Sequence, residues 1–191
     1  MKKISVGFAL CGSFCTFGKV IPEIEKLVSA GYDVVPIMSH TAYTTDTRFG
    51  KASEIAKRIS DICGRGIIKT IAEAEPIGPK KLLDALIIAP CTGNTAAKLA
   101  CGITDTSVTM AAKAHLRNAR PLIIAISTND ALSANARNIG TLSVMKNVFF
   151  VPHRQDDSSG KPNSLVADMG KIEETLKEAL SGRQIQPVLA L

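Results

Sequence analysis

Short apolar runs alternate with amphipathic stretches along the chain. The runs are Ile4–Leu10 (ISVGFAL), Tyr32–Met38 (YDVVPIM), Ala85–Ala89 (ALIIA), Pro121–Ser127 (PLIIAIS) and Val148–Pro152 (VFFVP), each short and apolar enough for a buried strand. After the first run, Val20, Ile24, Leu27 and Val28 recur at helical spacing up to Gly31, with Pro22 marking a first turn or a kink. Further helices are expected at about Glu54–Cys63, closed by Gly64 and Gly66, and at Thr95–Cys101, Thr106–Leu116 and Ala131–Lys146. The segment Gly66–Lys81 (GIIKTIAEAEPIGPKK), broken by glycine and proline, predicts a short strand and an exposed loop. A final helix, Ser164–Leu180, presents Val166, Met169, Ile172 and Leu176 on one face, with Glu173 and Lys177 paired at i,i+4.

Strands alternating with helices predict an α/β fold, a parallel sheet with helices on both faces in three layers. Residues 1–191 read as one domain, roughly the last ten residues forming a C-terminal tail. A content of 46% hydrophobic and 21% charged residues excludes a disordered chain. The apolar runs are too short to cross a bilayer, and removing the N-terminal segment as a secretory signal would delete the first strand. A cytoplasmic protein is expected. The five cysteines, Cys11, Cys15, Cys63, Cys91 and Cys101, show no zinc spacing and read as free, mostly buried thiols. The net charge of +6 is scattered along the chain and aromatics are 4%, which argues against nucleic acid and for a pocket that takes small anions.

In an open α/β sheet, ligands bind beyond the carboxyl ends of the strands. The turns there read Gly12-Ser13, Ser39-His40-Thr41, Thr92-Gly93-Asn94-Thr95 and Ser127-Thr128-Asn129-Asp130. Any one of them alone reads as a helix cap. The recurrence of small hydroxyl and amide side chains after successive strands reads as a phosphate site, since helix N-termini favour anions. Three absences narrow the ligand. No G-x-x-x-x-G-K-[ST] is present, and the first turn lacks G-x-G-x-x-G, while the second strand ends in Met38-Ser39 without the acid that grips an adenosine ribose. A mononucleotide such as FMN remains compatible, whereas a self-contained NAD site does not.

The stretches TDTRFGKA, EAEPIGPKK, APCTGNTAAKLA, MAAKAHLRN, STNDALS and KPNSLVADM run through most of the chain. Together they resemble the flavoprotein family of homo-oligomeric, flavin-containing cysteine decarboxylases. The resemblance implies a flavodoxin-like Rossmann fold, FMN or inorganic phosphate in its place, and assembly into trimers or multiples of them. It further implies that Gly12, Ser13, Ser39 and Thr41 meet the phosphate and ribose side, that Thr92, Gly93, Asn94 and Thr95 match the family's P-A-S-A-N-T segment, and that Asn129 matches the carboxylate-contacting asparagine of P-x-M-N. Two departures weigh against cysteine decarboxylation: no histidine precedes the third strand, and Thr128 replaces the methionine of P-x-M-N. The activity implied instead is oxidation of a dihydro- or hydroxytetrahydro-dipicolinate to dipicolinate during spore formation. A partner chain would carry the NAD(P) site. A stand-alone FMN-dependent decarboxylase or prenyl-transfer homologue, and a non-catalytic phosphate-binding scaffold, stay open.

For such a dicarboxylate substrate, Arg48 is a candidate clamp on one carboxylate and Asn129 a donor to the other, with an Arg48–Asp46 ion pair the structural alternative. His40, beside the phosphate turn, suits proton transfer, a phosphate hydrogen bond or simple exposure. His153 is a weaker candidate, His115 reads as a surface or interface residue, and Cys91 as a small buried thiol within reach of the flavin turn. Asn94 is expected to orient a ligand rather than carry a proton, because an amide does not titrate near neutral pH.

Overall fold

The computed structural model of the chain describes residues 3–190. Its elements, in order, are β1 (Ser5–Leu10), α1 (Phe17–Ser29), β2 (Asp33–Met38), α2 (His40–Thr44), α3 (Ala52–Cys63), α4 (Ile71–Ala74), β3 (Ala85–Cys91), α5 (Gly93–Ala100), α6 (Ser107–Leu116), β4 (Leu122–Thr128), α7 (Ala136–Ser143), β5 (Val148–Phe150), β6 (His153–Arg154), β7 (Leu165–Ala167) and α8 (Ile172–Leu180). The sheet runs β2-β1-β3-β4, and β5 adds in parallel to the start of β4. That is the flavodoxin-like order, in which the chain reverses direction across the sheet between β1 and β3. At the far end of β4, Ser127 and Thr128 pair antiparallel with Val166 and Leu165 of β7, which in turn pairs with β6. The sheet is therefore mostly parallel, with an antiparallel annex at the edge that faces the strand ends.

The continuous apolarity of the central strands follows from burial on both faces. Along β3, Ala85, Ile87 and Ala89 join a core with Ile24 and Leu27 of α1, Ile59 of α3 and Leu176 of α8. The alternate residues Leu86 and Ile88 join the opposite core with Val108 and Ala112 of α6 and Leu142 of α7. Because successive side chains point to opposite faces, a strand between two helix layers has no polar side to show. Within β1, Gly7 is fixed by packing, since a Cβ there would lie 2.6 Å from Leu83 Cδ1 and 2.7 Å from Leu86 Cδ1.

Several sequence expectations need correction. The expected helix from Ser164 begins only at Ile172: Leu165–Ala167 is strand β7, and the Asp168 side chain accepts the Gly170 N–H at 3.1 Å to start the turn into α8. The apolar spacing there served a two-sided strand first and a helix second. Across Gly66–Lys81 the strand shrinks to a single bridge between Ile37 and Ile68, and the expected loop holds α4 behind a reciprocal cap in which Thr70 and Glu73 serve each other's N–H groups. Ala74 and Ile77 bury themselves against α6. The expected Ala131–Lys146 helix is cut to Ala136–Ser143, because the Ser133 and Asn135 N–H groups both donate to the Asp130 carbonyl in a tight turn. Pro22 lies in the second turn of α1, where the carbonyl it leaves free belongs to exposed Gly18 and can bond water. His115 is buried, 1% exposed, and its Nε2 donates to the Pro121 carbonyl at 3.0 Å, so it is neither a surface nor an interface residue. Residues read as a tail lie against β6, with the His153 N–H donating to Val188 and the Ala190 N–H to His153.

Candidate functional site

The polar turns at the ends of β1, β2, β3 and β4 converge on two recesses. The larger is a cleft of about 570 Å³ lined by Gly12 and Ser13, Phe14, Phe49, Thr92–Asn94, Ser127–Asp130, Asp156, Lys161, Ser164, Leu165 and Val166, among others. The smaller, about 270 Å³, is lined by Cys11, Gly12, Ser39–Thr41, Thr92, Asn94, Thr95, Lys98 and Thr106. Gly12, Thr92 and Asn94 line both and so form the ridge between them. Ser13 and Ser39, expected in one pocket, lie on opposite sides of that ridge.

Local chemistry explains each turn. The Thr92 side chain caps α5, accepting the Thr95 N–H at 3.2 Å, while its hydroxyl donates to Thr95 Oγ1 at 3.1 Å. Thr95 donates onward to the Cys11 sulfur at 3.2 Å. Ser39 caps the short helix α2, accepting the Ala42 N–H at 3.2 Å. Both hydroxyls thus hold the turns in shape, which is the capping role. The N–H groups of Gly93 and Asn94, first in α5, have no intrahelical carbonyl to bond. Ser13 and Ser127, from the ends of β1 and β4, share a hydrogen bond of 2.9 Å across the mouth of β3.

Behind the ridge lies a polar network. Asp130 accepts from Thr128 Oγ1 at 2.5 Å and from Asn135 Nδ2 at 2.7 Å, and Asn135 accepts from Asn138 at 2.7 Å. Gly93 sits against it: a Cβ there would meet Asn135 Nδ2, Asp130 Oδ1 and Thr128 Oγ1, the last two at 2.7 Å. The glycine therefore serves close packing of α5 onto the β4 turn.

Of the candidate residues, Asn94 is exposed on the ridge, Asn129 is exposed in the larger cleft, and His40 and Thr41 are exposed in the smaller recess. Arg48 lines neither. Its guanidinium stacks over Phe49, 4.9 Å from the ring centre, while the Asp46 carboxylate is taken by the Ala52 N–H at 2.8 Å. His153 is buried, bonded at Nδ1 to the Val151 carbonyl, and burial pushes its pKa down. Cys91 is buried and its thiol is pushed well above the usual range by burial, as is Cys11, to about 11. Cys15 and Cys101 are exposed, so the thiols are free but only partly buried. Reasoning from sequence missed Lys161 and Phe49, which reach the cleft from loops outside the strand-end turns. It also passed over Ser127 and Asp130, although both stand in a turn it had marked. Lys98, paired with Asp105 at 2.8 Å, adds a cation to the smaller recess and holds the Asp105 carboxyl below its usual range.

Residues 1–179 match the Flavoprotein family. The chain belongs to that family. Among flavoproteins, it is 48% identical over 99% of its length to the B subunit of dipicolinate synthase from Bacillus subtilis, covering 94% of that protein. It is 30% identical over 68% of its length to the flavin prenyltransferase UbiX of Archaeoglobus fulgidus, covering 70% of it. The crystal structure of the dipicolinate synthase B subunit from Bacillus halodurans superposes with a TM-score of 0.91 at 48% identity, covering 100% of this chain and 99% of that one. A Burkholderia xenovorans flavoprotein crystallised with FMN, DmrB, shares the fold at 18% identity and TM-score 0.69, covering 94% and 96%. This flavoprotein is thus a homologue of the dipicolinate synthase B subunit, and no helix among its described residues is long and apolar enough to cross a membrane.

Proposed function

We propose that the chain is the B subunit of a dipicolinate synthase, which oxidises a dihydro- or hydroxytetrahydro-dipicolinate to dipicolinate together with an A chain that carries the NAD(P) site. The observation that carries the reading is the 48% identity to a dipicolinate synthase B subunit across 99% of the chain. The site is compatible with it. The smaller recess offers the Ser39, Thr41 and Thr106 hydroxyls, the Lys98 ammonium and the His40 imidazole, a set of groups suited to phosphate. The larger cleft combines Phe14, Phe49, Leu165 and Val166 with the amides of Asn94 and Asn129, apolar walls and a few orienting polar groups, as small-molecule sites require. The residues of the two recesses and of the Gly12–Thr92–Asn94 ridge would hold FMN, or inorganic phosphate in its place.

FMN, when bound, supplies a two-electron acceptor. The chain's own residues have other tasks. Forming the pyridine removes a hydride and a proton from the dihydro compound, and a molecule of water as well from the hydroxytetrahydro compound; NAD(P) on the A chain, when bound, would supply the hydride acceptor. His40 is the imidazole open to the smaller recess, the other two being buried against carbonyls, and in this reading it is the chain's proton acceptor. Asn129 orients a substrate carboxylate, and Asn94 orients the flavin. Self-association into trimers or their multiples completes the reading, supported by the dodecameric and cage-forming relatives of this fold.

Mixing the chain with the A chain, nicotinamide cofactor and substrate, and following the ultraviolet absorbance of dipicolinate, tests the proposal. Product only with both chains present is the expected result. Product formation by this chain alone favours a stand-alone flavin enzyme, and equal product formation by the A chain alone leaves a scaffold.

A further inference from the structure

We infer that Lys161, on the loop between β6 and β7, is the carboxylate anchor of the larger cleft, and that Asp156 occupies it until an anionic substrate arrives. The inference rests on the dicarboxylate reading above and assigns the cationic contact that Arg48 does not provide.

Among the described residues lining the cleft, Lys161 carries the single positive charge, against two negative ones on Asp130 and Asp156. Asp130 is committed, each of its oxygens accepting a hydrogen bond, from Thr128 and from Asn135. For a ligand with two carboxylates, Lys161 is the one cationic side chain among the described residues lining this cleft. The loop presents that lysine in a defined way. The Lys161 N–H donates to the Asp157 carbonyl at 2.8 Å, and the Gly160 N–H donates to the Asp157 carboxylate at 2.8 Å. A Cβ at position 160 would press on that carboxylate, so the turn as it stands packs against glycine. Gln155 closes the loop by donating to the Pro162 carbonyl at 2.8 Å. The Leu132 N–H donates to the Asn163 carbonyl at 3.0 Å, stitching the loop to the segment that carries Asn129. One amide donor and one cation therefore stand on two connected loops that line one cleft, a pair matched to two carboxylates.

Lys161 Nζ meets Asp156 Oδ2 at 3.2 Å, and Asp156 also accepts from the Ser164 hydroxyl. Both partners keep solvent contact, 58% for the lysine side chain and 32% for the aspartate, so the pair is screened and exchangeable. A substrate carboxylate can replace Asp156 on the ammonium without leaving a buried charge unpaired.

The test is calorimetric titration of pyridine-2,6-dicarboxylate into the FMN-saturated full chain, or into its complex with the A chain if the chain alone does not bind. Lys161→Gln is expected to weaken binding about tenfold, Lys161→Arg to keep it, and Asp156→Asn to tighten it about threefold by freeing the lysine. Pyridine-2-carboxylate, with one carboxylate, should be much less sensitive to Lys161→Gln. The opposite signs are decisive. If the ion pair only braces the loop, breaking it from either side moves affinity in the same direction, and that outcome, or no change in Lys161→Gln, overturns the inference. Wild type that binds no dicarboxylate in either format overturns the proposed function instead, and the inference falls with it.

Discussion

Replacing Gly93 with Ala separates two physical readings of the site turn. Judged by helix propensity, the change stabilises the start of α5 by about 0.5–1 kcal/mol, because glycine loses more freedom on folding. Judged by the structure, the new methyl group falls on Asn135 Nδ2 and within 2.7 Å of both Asp130 Oδ1 and Thr128 Oγ1. Overpacking of this kind costs roughly 1–3 kcal/mol. The displaced atoms are themselves the partners in two hydrogen bonds to the Asp130 carboxylate, and weakening these adds about 1–3 kcal/mol. Set against the propensity gain, a net destabilisation of about 1–5 kcal/mol is expected, a fall in Tm of roughly 2–20 °C for a chain this size. Gly18→Ala is the matched control: at an exposed position of α1, with nothing within 4 Å of the added methyl, it should stabilise the chain slightly. Thermal and urea melts of both variants without ligand make the measurement. A Gly93→Ala melt that coincides with wild type, or lies above it, would refute the packing argument and return Gly93 to a purely ligand-facing role.

Asn94→Ala should lose about 1–3 kcal/mol of FMN affinity in a titration, one to two decades, while its exposed position leaves the ligand-free melt nearly unchanged. His115 has its pKa pushed down from 6.5 to about 4, by burial first. Between those values the unfolded chain binds the proton and the folded chain does not, so stability is complete above about pH 6.5 and is lost as pH falls towards 4, by at most about 3 kcal/mol. Urea midpoints measured across that window should slope in wild type and flatten in His115→Gln; parallel curves would remove His115 as the cause. A thiol reagent should modify exposed Cys15 and Cys101 quickly and leave buried Cys11 and Cys91 untouched until unfolding, with FMN slowing Cys15 because it lines the cleft. Light scattering should give a mass that is a multiple of 20.2 kDa, reduced by Ile103→Glu, because Ile103, 46% exposed, sits beside the apolar groove of Leu99, Leu116 and Met145; a monomer at micromolar concentration counts against self-association.

A short window of residues is enough to express part of this architecture. Apolar runs such as Ala85–Ala89 declare strands buried on both faces, and small polar residues after them mark the turns where a ligand can sit. The α6 boundaries were readable to within a residue because Thr106 is a cap whose partner lies three residues away, whereas α5 starts at Gly93, two residues before the expected Thr95, behind its cap Thr92. Tertiary structure decided the rest. The Ser13–Ser127 bond joins residues 114 apart in the chain, and the ridge dividing the two recesses exists only once β1 and β3 lie side by side. Val166 has helical spacing to Met169 and became a strand because the free edge of β4 was there to pair with it. Arg48 and Lys161 look equally suited to a carboxylate as letters in a sequence. A long charged side chain takes its direction from what surrounds its backbone: Phe49 holds one outside the cleft, and the self-bonded Asp157–Gly160 turn delivers the other into it.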